Sequence, residues 1–380
     1  MNPLNINPLK TQDTHPMEIP NSQACKVSVP ISEQGEHCLY ANFCLPAGLF
    51  WQLADRVLQG HRLTSDEAAT ILHCADENLP ELVAAAHRIR HQFFGRRVQL
   101  NVLINAKSGY CPEDCSYCSQ SRISRAEINK YDLLDDEHIL AGAELAHDRQ
   151  AKTYCIVLSG RKPRERDLKA LERIVPEIRQ RWGLQICISA GFLSPSEAKR
   201  LKDCGVNRVN HNLNTSERFY PQICTTHLYE DRLATLRAVR EAGLELCSGG
   251  IIGMGESPED VATLALTLAE FQPEAVPINF LIPIPGTPLE ADWNLNPRYC
   301  LKVLCLFRFA LPRTELRIAA GRELHLRSLQ PLGLWVANSI FVGDYLTTKG
   351  QAPEADYQML QDLGLEPEID GSTVPGHDTA

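Results

Sequence analysis

Several features that would place this chain in a familiar class are missing. No apolar run reaches the ~18–20 residues that a bilayer span needs, so a membrane protein is not expected. The opening segment MNPLNINPLKTQDTHP has no apolar stretch of the kind a secretory leader uses, and a cytoplasmic location is expected. Basic residues are outnumbered, 38 Lys and Arg against 47 Asp and Glu for a net charge of −9. No cationic face therefore suggests nucleic acid, and a small-molecule substrate fits better. Gly249, Gly250, Gly253 and Gly255 are followed by no Gly-Lys-Ser/Thr and do not form a dinucleotide fingerprint. They would only let backbone approach a ligand closely. No second Cys-x-x-Cys accompanies Cys115–Cys118, as a four-ligand structural zinc site would usually require.

What the chain does have is cysteine, 14 in 380 residues. In a reducing cytosol these point to metal ligation, catalysis or plain burial, not to disulfides. Cys74, Cys204, Cys224, Cys300 and Cys305 lack metal-like spacing and are expected to be buried fillers. Cys25, Cys38 and Cys44 are irregularly spaced in a segment rich in Pro, Asn, Ser and Gln. That segment, residues 1–45, reads as a disordered tail.

A helical region is expected over 46–98, with a capping box at Thr64–Glu67 and a Gly stop at Gly95. From there to residue 345 short apolar strands alternate with amphipathic helices. Strands are expected at 102–106, 153–159, 185–190, 206–210, 244–250, 275–281, 315–320 and 334–342. Eight such repeats argue for a TIM-type (β/α)8 barrel with an N-terminal helical extension, an open doubly wound sheet being the alternative. Residues 346–380 read as a polar tail with one short helix, EADYQMLQDLG.

Alternation along the strands makes a second pattern, because successive residues face opposite sides of a strand. With Ile186 and Ile188 packed outward against helices, Cys187 points into the lumen. The same argument turns Cys155, Cys247, Asn279 and Arg317 inward. A structural lumen is normally filled by Val, Ile and Leu, and burying this polar set without a ligand is costly. The lumen therefore reads as a site.

The sharpest motif is Cys111-Pro-Glu-Asp-Cys115-Ser-Tyr-Cys118, directly after the first strand. Three thiolates on one loop can hold three irons of a [4Fe–4S] cubane and leave the fourth open to a ligand. A lone redox Cys-x-x-Cys would leave Cys111 unexplained. This spacing on this strand resembles the radical S-adenosylmethionine superfamily. The strings NAKSGYCPEDCSYCSQS, VNHNLNTSERFY (209–220), CSGGIIGMGE (247–256), VPINFLIPIPGTPLE (276–290) and LRIAAGRE (316–323) resemble the biotin synthase family within it. They fall in order between about Arg62 and Gly364.

The resemblance implies radical insertion of sulfur into dethiobiotin to form biotin, using two S-adenosylmethionine per product. It implies a cubane on Cys111, Cys115 and Cys118, and a sulfur-donating [2Fe–2S] cluster on Cys155, Cys187, Cys247 and Arg317. Arg317 as a mere lumen cation is the alternative, since a guanidinium is hard to deprotonate. Asn212, Asn214 and Arg232 match positions that bind S-adenosylmethionine. Asn212, Asn279 and Lys107 match positions at dethiobiotin. Loop capping by the amides, and an exposed helix charge for Arg232, are the plainer alternatives. His211 and His325 are expected to be hydrogen-bonded structure. The resemblance further implies a homodimer, a flavodoxin-type electron donor and iron–sulfur assembly machinery. Two rival readings are another radical enzyme of the same barrel type and a non-enzymatic metal-binding protein.

Overall fold

The computed structural model describes residues 48–291 and 295–368. The expected tail with Cys25, Cys38 and Cys44 lies outside the described residues, as does the chain beyond residue 368. Three helices come first, Leu49–Leu58, Ser65–His73 and Leu79–Phe94. The second begins where the Thr64 hydroxyl accepts from the Glu67 N–H and the Glu67 carboxylate accepts from the Thr64 N–H. The third stops at Gly95, whose φ of 55° a side chain would resist.

The strands are β1 (Arg97–Lys107), β2 (Thr153–Leu158), β3 (Gln185–Ser189), β4 (Arg208–Asn210) and β5 (Glu245–Cys247). They continue with β6 (Gly250–Ile252), β7 (Ala275–Phe280), β8 (Glu315–Ile318), β9 (Ser339–Phe341) and β10 (Glu366–Pro367). All pairings between them are parallel, and β1 pairs with both β2 and β9. That second pairing closes the barrel and rules out the open sheet. β5 and β6 make one broken stave of the eight, and β10 adds outside the ring on β1. Helices such as Asp136–Asp148, Glu165–Trp182 and Pro258–Phe271 alternate with the staves. Their starts are fixed by side-chain caps, Asp135 and Ser257 among them.

Two expected strands differ from the observed ones. The run 244–250 is interrupted at Ser248–Gly249, where the backbone passes so close to β7 that a Cβ on Gly249 would sit 1.9 Å from the Pro277 carbonyl oxygen. The run 334–342 is half helix: Gln330–Val336 is helical and only Ser339–Phe341 is strand. Short apolar runs do not distinguish a buried helix turn from a buried strand.

The outer face of the staves is apolar, with Tyr154, Ile156, Ile186, Ile188 and Ile278 wholly buried under the helices. One polar hub ties the last repeats together. Arg308, fully buried on helix Pro297–Ala310, donates to the carbonyls of Val336 (3.0 Å), Pro312 (3.1 Å) and Thr314 (3.0 Å) and to Asn338 Oδ1 (2.6 Å). Asn338 Oδ1 also accepts the Leu316 N–H at 3.0 Å, which sets the entry to β8. An unsatisfied buried acceptor costs about 1–3 kcal/mol. Arg308→Met orphans several together, so it should lower stability by at least about 3 kcal/mol, read from a reduced urea midpoint at unchanged slope.

Candidate active site

β1 delivers the chain to the loop of Cys111, Cys115 and Cys118. Backbone contacts wind this loop tightly: Cys118 N–H donates to Cys115 O (3.2 Å), Ser121 N–H to Cys118 O (3.1 Å) and Arg122 N–H to Glu113 O (2.9 Å). The Gln120 side-chain oxygen Oε1 accepts the Gly109 N–H at 2.9 Å and pins the loop back on its own start. All three cysteines line one cavity of about 390 Å³. Burial pushes the Cys118 thiol up to about 11 and raises Cys111 as well. Thiolates here therefore need positive charge beside them, which iron supplies. The donor set fits a cubane with one open iron.

Cys155, Cys187 and Arg317 line the same cavity, with Cys247 buried against Cys187 behind its wall. Cys155 and Cys187 are register partners across β2 and β3, and Cys187 lies against both Cys155 and Cys247. The three thiols form a small buried group with Ala275, apart from the main core. Contact with Cys155, contact with Cys247 and burial all raise Cys187. The Cys187 thiol in turn lowers Cys247 to about 6, against burial and helped by Arg317 and Arg208. Arg317, 1% exposed, donates through Nη2 to Glu315 Oε1 (2.5 Å) and through Nε to Ser339 Oγ (3.2 Å); Nη1 takes no part in these bonds. Arg208 Nη1 reaches the other oxygen of Glu315 at 2.6 Å. Burial would raise Glu315, but the two guanidiniums outweigh it and hold the carboxyl down to about 2.

Between the two cysteine sets stand the amides. Asn279 is fixed at both ends by backbone: Nδ2 donates to Gly250 O (3.1 Å) and Oδ1 accepts the Ala320 N–H (3.2 Å). Asn212 Oδ1 accepts from Gly249 N–H (3.0 Å) and Asn210 Nδ2 (3.3 Å), so its amide offers donors. Asn214, at φ 71°, donates to the Tyr117 hydroxyl at 2.7 Å and offers its carbonyl oxygen. Arg232 donates to the Tyr220 hydroxyl and to Asn212 O (2.8 Å), with Nη2 3.3 Å from His227 Nε2. All four line the cavity, which corrects the picture of Arg232 as an exposed charge.

Lys107 is the exception. Its amine pairs with the fully buried Asp167 at 2.9 Å and is absent from the cavity wall. Asp167 caps helix Glu165–Trp182, which follows β2, and its other cations, Arg164 and Arg166, are exposed, so it holds the lysine amine away from the cavity wall. His325 Nε2–H donates to Leu281 O (2.7 Å), a structural contact as expected. His211 does line the cavity and packs edge-on to Phe192.

Sequence reasoning missed three groups. Cys224, expected to be a filler, lies 3.8 Å from Cys115, sulfur to sulfur, and beside His227. Glu113 and Asp114, inside the cysteine loop, grip the Thr225–His227 segment. Arg208 and Glu315 complete the charge balance around Arg317. The last pair was findable, since each stands two residues before an inward residue, Asn210 or Arg317, on its strand.

Residues 106–268 match the radical SAM superfamily, and residues 277–366 match the biotin and thiamin synthesis associated domain. The biotin synthase of Rhodopirellula baltica is 56% identical over 321 residues, 84% of this chain and 89% of that one. The biotin synthase of Bacillus subtilis strain 168 is 54% identical over 317 residues, 83% and 95% of the two chains. The chain belongs to the biotin synthase family. The fold also superposes on methylornithine synthase (TM-score 0.73, 23% identity, 83% of this chain and 97% of that one). It superposes on a hydrogenase maturase from Carboxydothermus hydrogenoformans (TM-score 0.72, 19% identity, 85% and 80%). These two show shared architecture only.

Glu315 gives a pH-dependent test. Its folded value lies below that of an unfolded glutamate, so its contribution is full above about 4.5 and is lost as pH falls toward about 2. Glu315→Gln leaves the buried Arg317 without its carboxylate, and Arg208 with only the half-exposed Glu245, and should cost about 3–5 kcal/mol at pH 7. The gap to the unaltered chain should narrow below pH 4.5, as read by urea unfolding across pH.

Proposed function

We propose that this chain is a radical enzyme that inserts sulfur into dethiobiotin to form biotin, the last step of biotin synthesis, consuming two S-adenosylmethionine per product. The observation that carries this reading is one cavity of about 390 Å³ lined by Cys111, Cys115 and Cys118 and also by Cys155, Cys187 and Arg317, with Cys247 packed against Cys187. A radical generator needs only the first set. A sulfur-inserting enzyme needs a second.

Cys111, Cys115 and Cys118 hold a [4Fe–4S] cluster at the loop end, and Cys155, Cys187, Cys247 and Arg317 hold a [2Fe–2S] cluster in the lumen. With these bound, the site supplies one-electron cleavage of S-adenosylmethionine, hydrogen abstraction from unactivated carbon and a source of sulfur. The chain itself binds, orients and dries. Asn214 offers a carbonyl oxygen to a ribose hydroxyl, and Arg232 a guanidinium to the methionine carboxylate. Asn279 retains one N–H and one lone pair in fixed orientation, which matches a ureido group. Asn212 adds donors to the same group. Phe192, Phe280, Leu281 and Phe341 give the wall an apolar lining that excludes water from reactive carbon. Held geometry is worth several kcal/mol of barrier, about 7–11 for the best-oriented pairs.

Family resemblance also supports a homodimer in the cytoplasm, a flavodoxin-type electron donor and iron–sulfur assembly machinery to rebuild the second cluster. No helix among the described residues is long and apolar enough to cross a membrane.

Anaerobic turnover of the reconstituted chain with dithionite and dethiobiotin tests the assignment by product mass. The unaltered chain should yield both 5′-deoxyadenosine and biotin. Cys115→Ala should yield neither while keeping the [2Fe–2S] Mössbauer signal. Cys187→Ala should still release 5′-deoxyadenosine but make no biotin. Biotin from either variant would overturn the division of labour between the two sets.

A further inference from the structure

Exposed apolar side chains are unevenly placed on this molecule. Among the described residues seven large ones are exposed, and four of these, Tyr110, Ile123, Leu228 and Leu346, ring the cysteine loop. Tyr110, 73% exposed, immediately precedes Cys111 and holds a left-handed φ of 54°, which a bulky side chain resists. Ile123 follows Arg122, whose N–H donates to Glu113 O at 2.9 Å. Leu228, 70% exposed, follows His227, whose Nδ1 meets Glu113 Oε2 at 2.5 Å. Leu346 is held here through its carbonyl, which accepts from Asn105 Nδ2 at 3.2 Å, and through Thr347, 2.9 Å from Ser119 Oγ. An exposed apolar patch with a polar rim marks an interaction site.

The rim of this patch is cationic, in a chain whose net charge is −9. The Lys130 stem lies across Gly109, so close that a Cβ added there would sit 2.7 Å from its Cγ. Arg161 pairs with Glu113 at 2.9 Å and stays 46% exposed. Arg122 and Arg125 are exposed where the chain leaves the loop, and Lys162 is exposed beside Arg161. The loop's own acids do not cancel these charges, because both are turned into the Thr225–His227 segment. Asp114 Oδ1 takes the Thr225 N–H at 2.9 Å, and Glu113 Oε2 takes the Thr226 hydroxyl at 2.6 Å. Glu127 is the one acid between Cys118 and Lys130, and Asp132 beyond it is paired with Arg164 and Arg166.

We propose that this face is the docking surface for a small acidic protein that delivers single electrons to the cluster. This rests on the reading that the cysteine loop holds the cubane. Each S-adenosylmethionine cleaved needs one electron there, supplied from outside the chain. The carrier loses that electron, the cluster gains it, and no bond forms or breaks. Electron-transfer encounters are small and short-lived, and complementary charge sets their on-rate. An apolar centre and a cationic rim stand here directly over the loop that receives the electron. A twofold contact between copies of this chain would instead set like charges against each other.

Stopped-flow reduction of the reconstituted full chain by a reduced flavodoxin, an acidic one-electron carrier, tests this beside reduction by photoreduced 5-deazariboflavin, which is small and uncharged. Surface plasmon resonance with the oxidised flavodoxin reads binding apart from electron transfer. The double variant Arg122→Glu, Lys130→Glu should be reduced by flavodoxin at least about tenfold more slowly at low ionic strength and bind it correspondingly more weakly, with the gap closing at high salt. Arg122→Gln with Lys130→Gln should fall between. Reduction by the deazaflavin, and the KM for dethiobiotin in turnover driven by it, should not change. Arg181→Glu, an exposed site close before the start of β3 and so at the opposite end of the staves, should bind flavodoxin like the unaltered chain. Equal flavodoxin rates in the charge-reversed and unaltered chains overturn the inference. A raised KM for dethiobiotin also overturns it, by making the rim a guide for substrate. A changed oligomeric state in light scattering does so too, by making the face a contact between copies. An unaltered chain that the deazaflavin cannot reduce refutes the cluster assignment instead, which separates the two failures.

Discussion

The structure depends on charge balance inside the barrel. Three thiols and two arginines share a lumen that a purely structural barrel would fill with aliphatic side chains. One carboxylate holds the arrangement together: Glu315 bridges Arg208 and Arg317, at 2.6 and 2.5 Å, from below the cysteine group. Removing buried charge from water is expensive unless partners are close and well oriented. Glu245 takes a second edge of Arg208 at 2.9 Å, so the guanidiniums are matched by carboxylates, and Cys247 is lowered first by its contact with Cys187 and then by the nearby Arg317 and Arg208.

The mouth of the barrel solves a related problem by other means. The cysteine loop is short, carries two acidic residues and has no secondary structure to hold it. Its shape comes from hydrogen bonds to segments far away in sequence, at Ile223–His227 and at Gly286, whose carbonyl accepts the Arg125 N–H at 2.7 Å. The loop is thus fixed by the same repeat that carries Asn212, Asn214 and Arg232. The cysteine loop and the amides are positioned by one continuous network, so the distance between them is set by hydrogen bonding and not by loop flexibility.

Much of this was legible in the sequence, for identifiable reasons. Strand alternation works where flanking aliphatics are unambiguous, as Ile186 and Ile188 are around Cys187. Caps such as Thr64–Glu67 are local and read directly. What failed was whatever depends on distant partners. Cys224 has no spacing that marks it, because its neighbour is 109 residues away. Lys107 lies four residues before Cys111, yet the buried carboxylate of Asp167 claims its amine. The last stave was misjudged because Leu334–Val336 is as apolar as a strand while closing a helix. The break at Gly249 reflects a backbone contact with Pro277 that no local pattern announces.

The central claim is that the lumen set serves as the sulfur source and not as a structural or electron-relaying group. Rebuilding the second cluster with heavy-isotope sulfide, removing free sulfide and running a single anaerobic turnover on dethiobiotin tests it most directly. Biotin enriched in the heavy isotope, in proportion to the label in the cluster, is the result expected. Biotin carrying only natural-abundance sulfur while the cluster keeps its label would contradict the account.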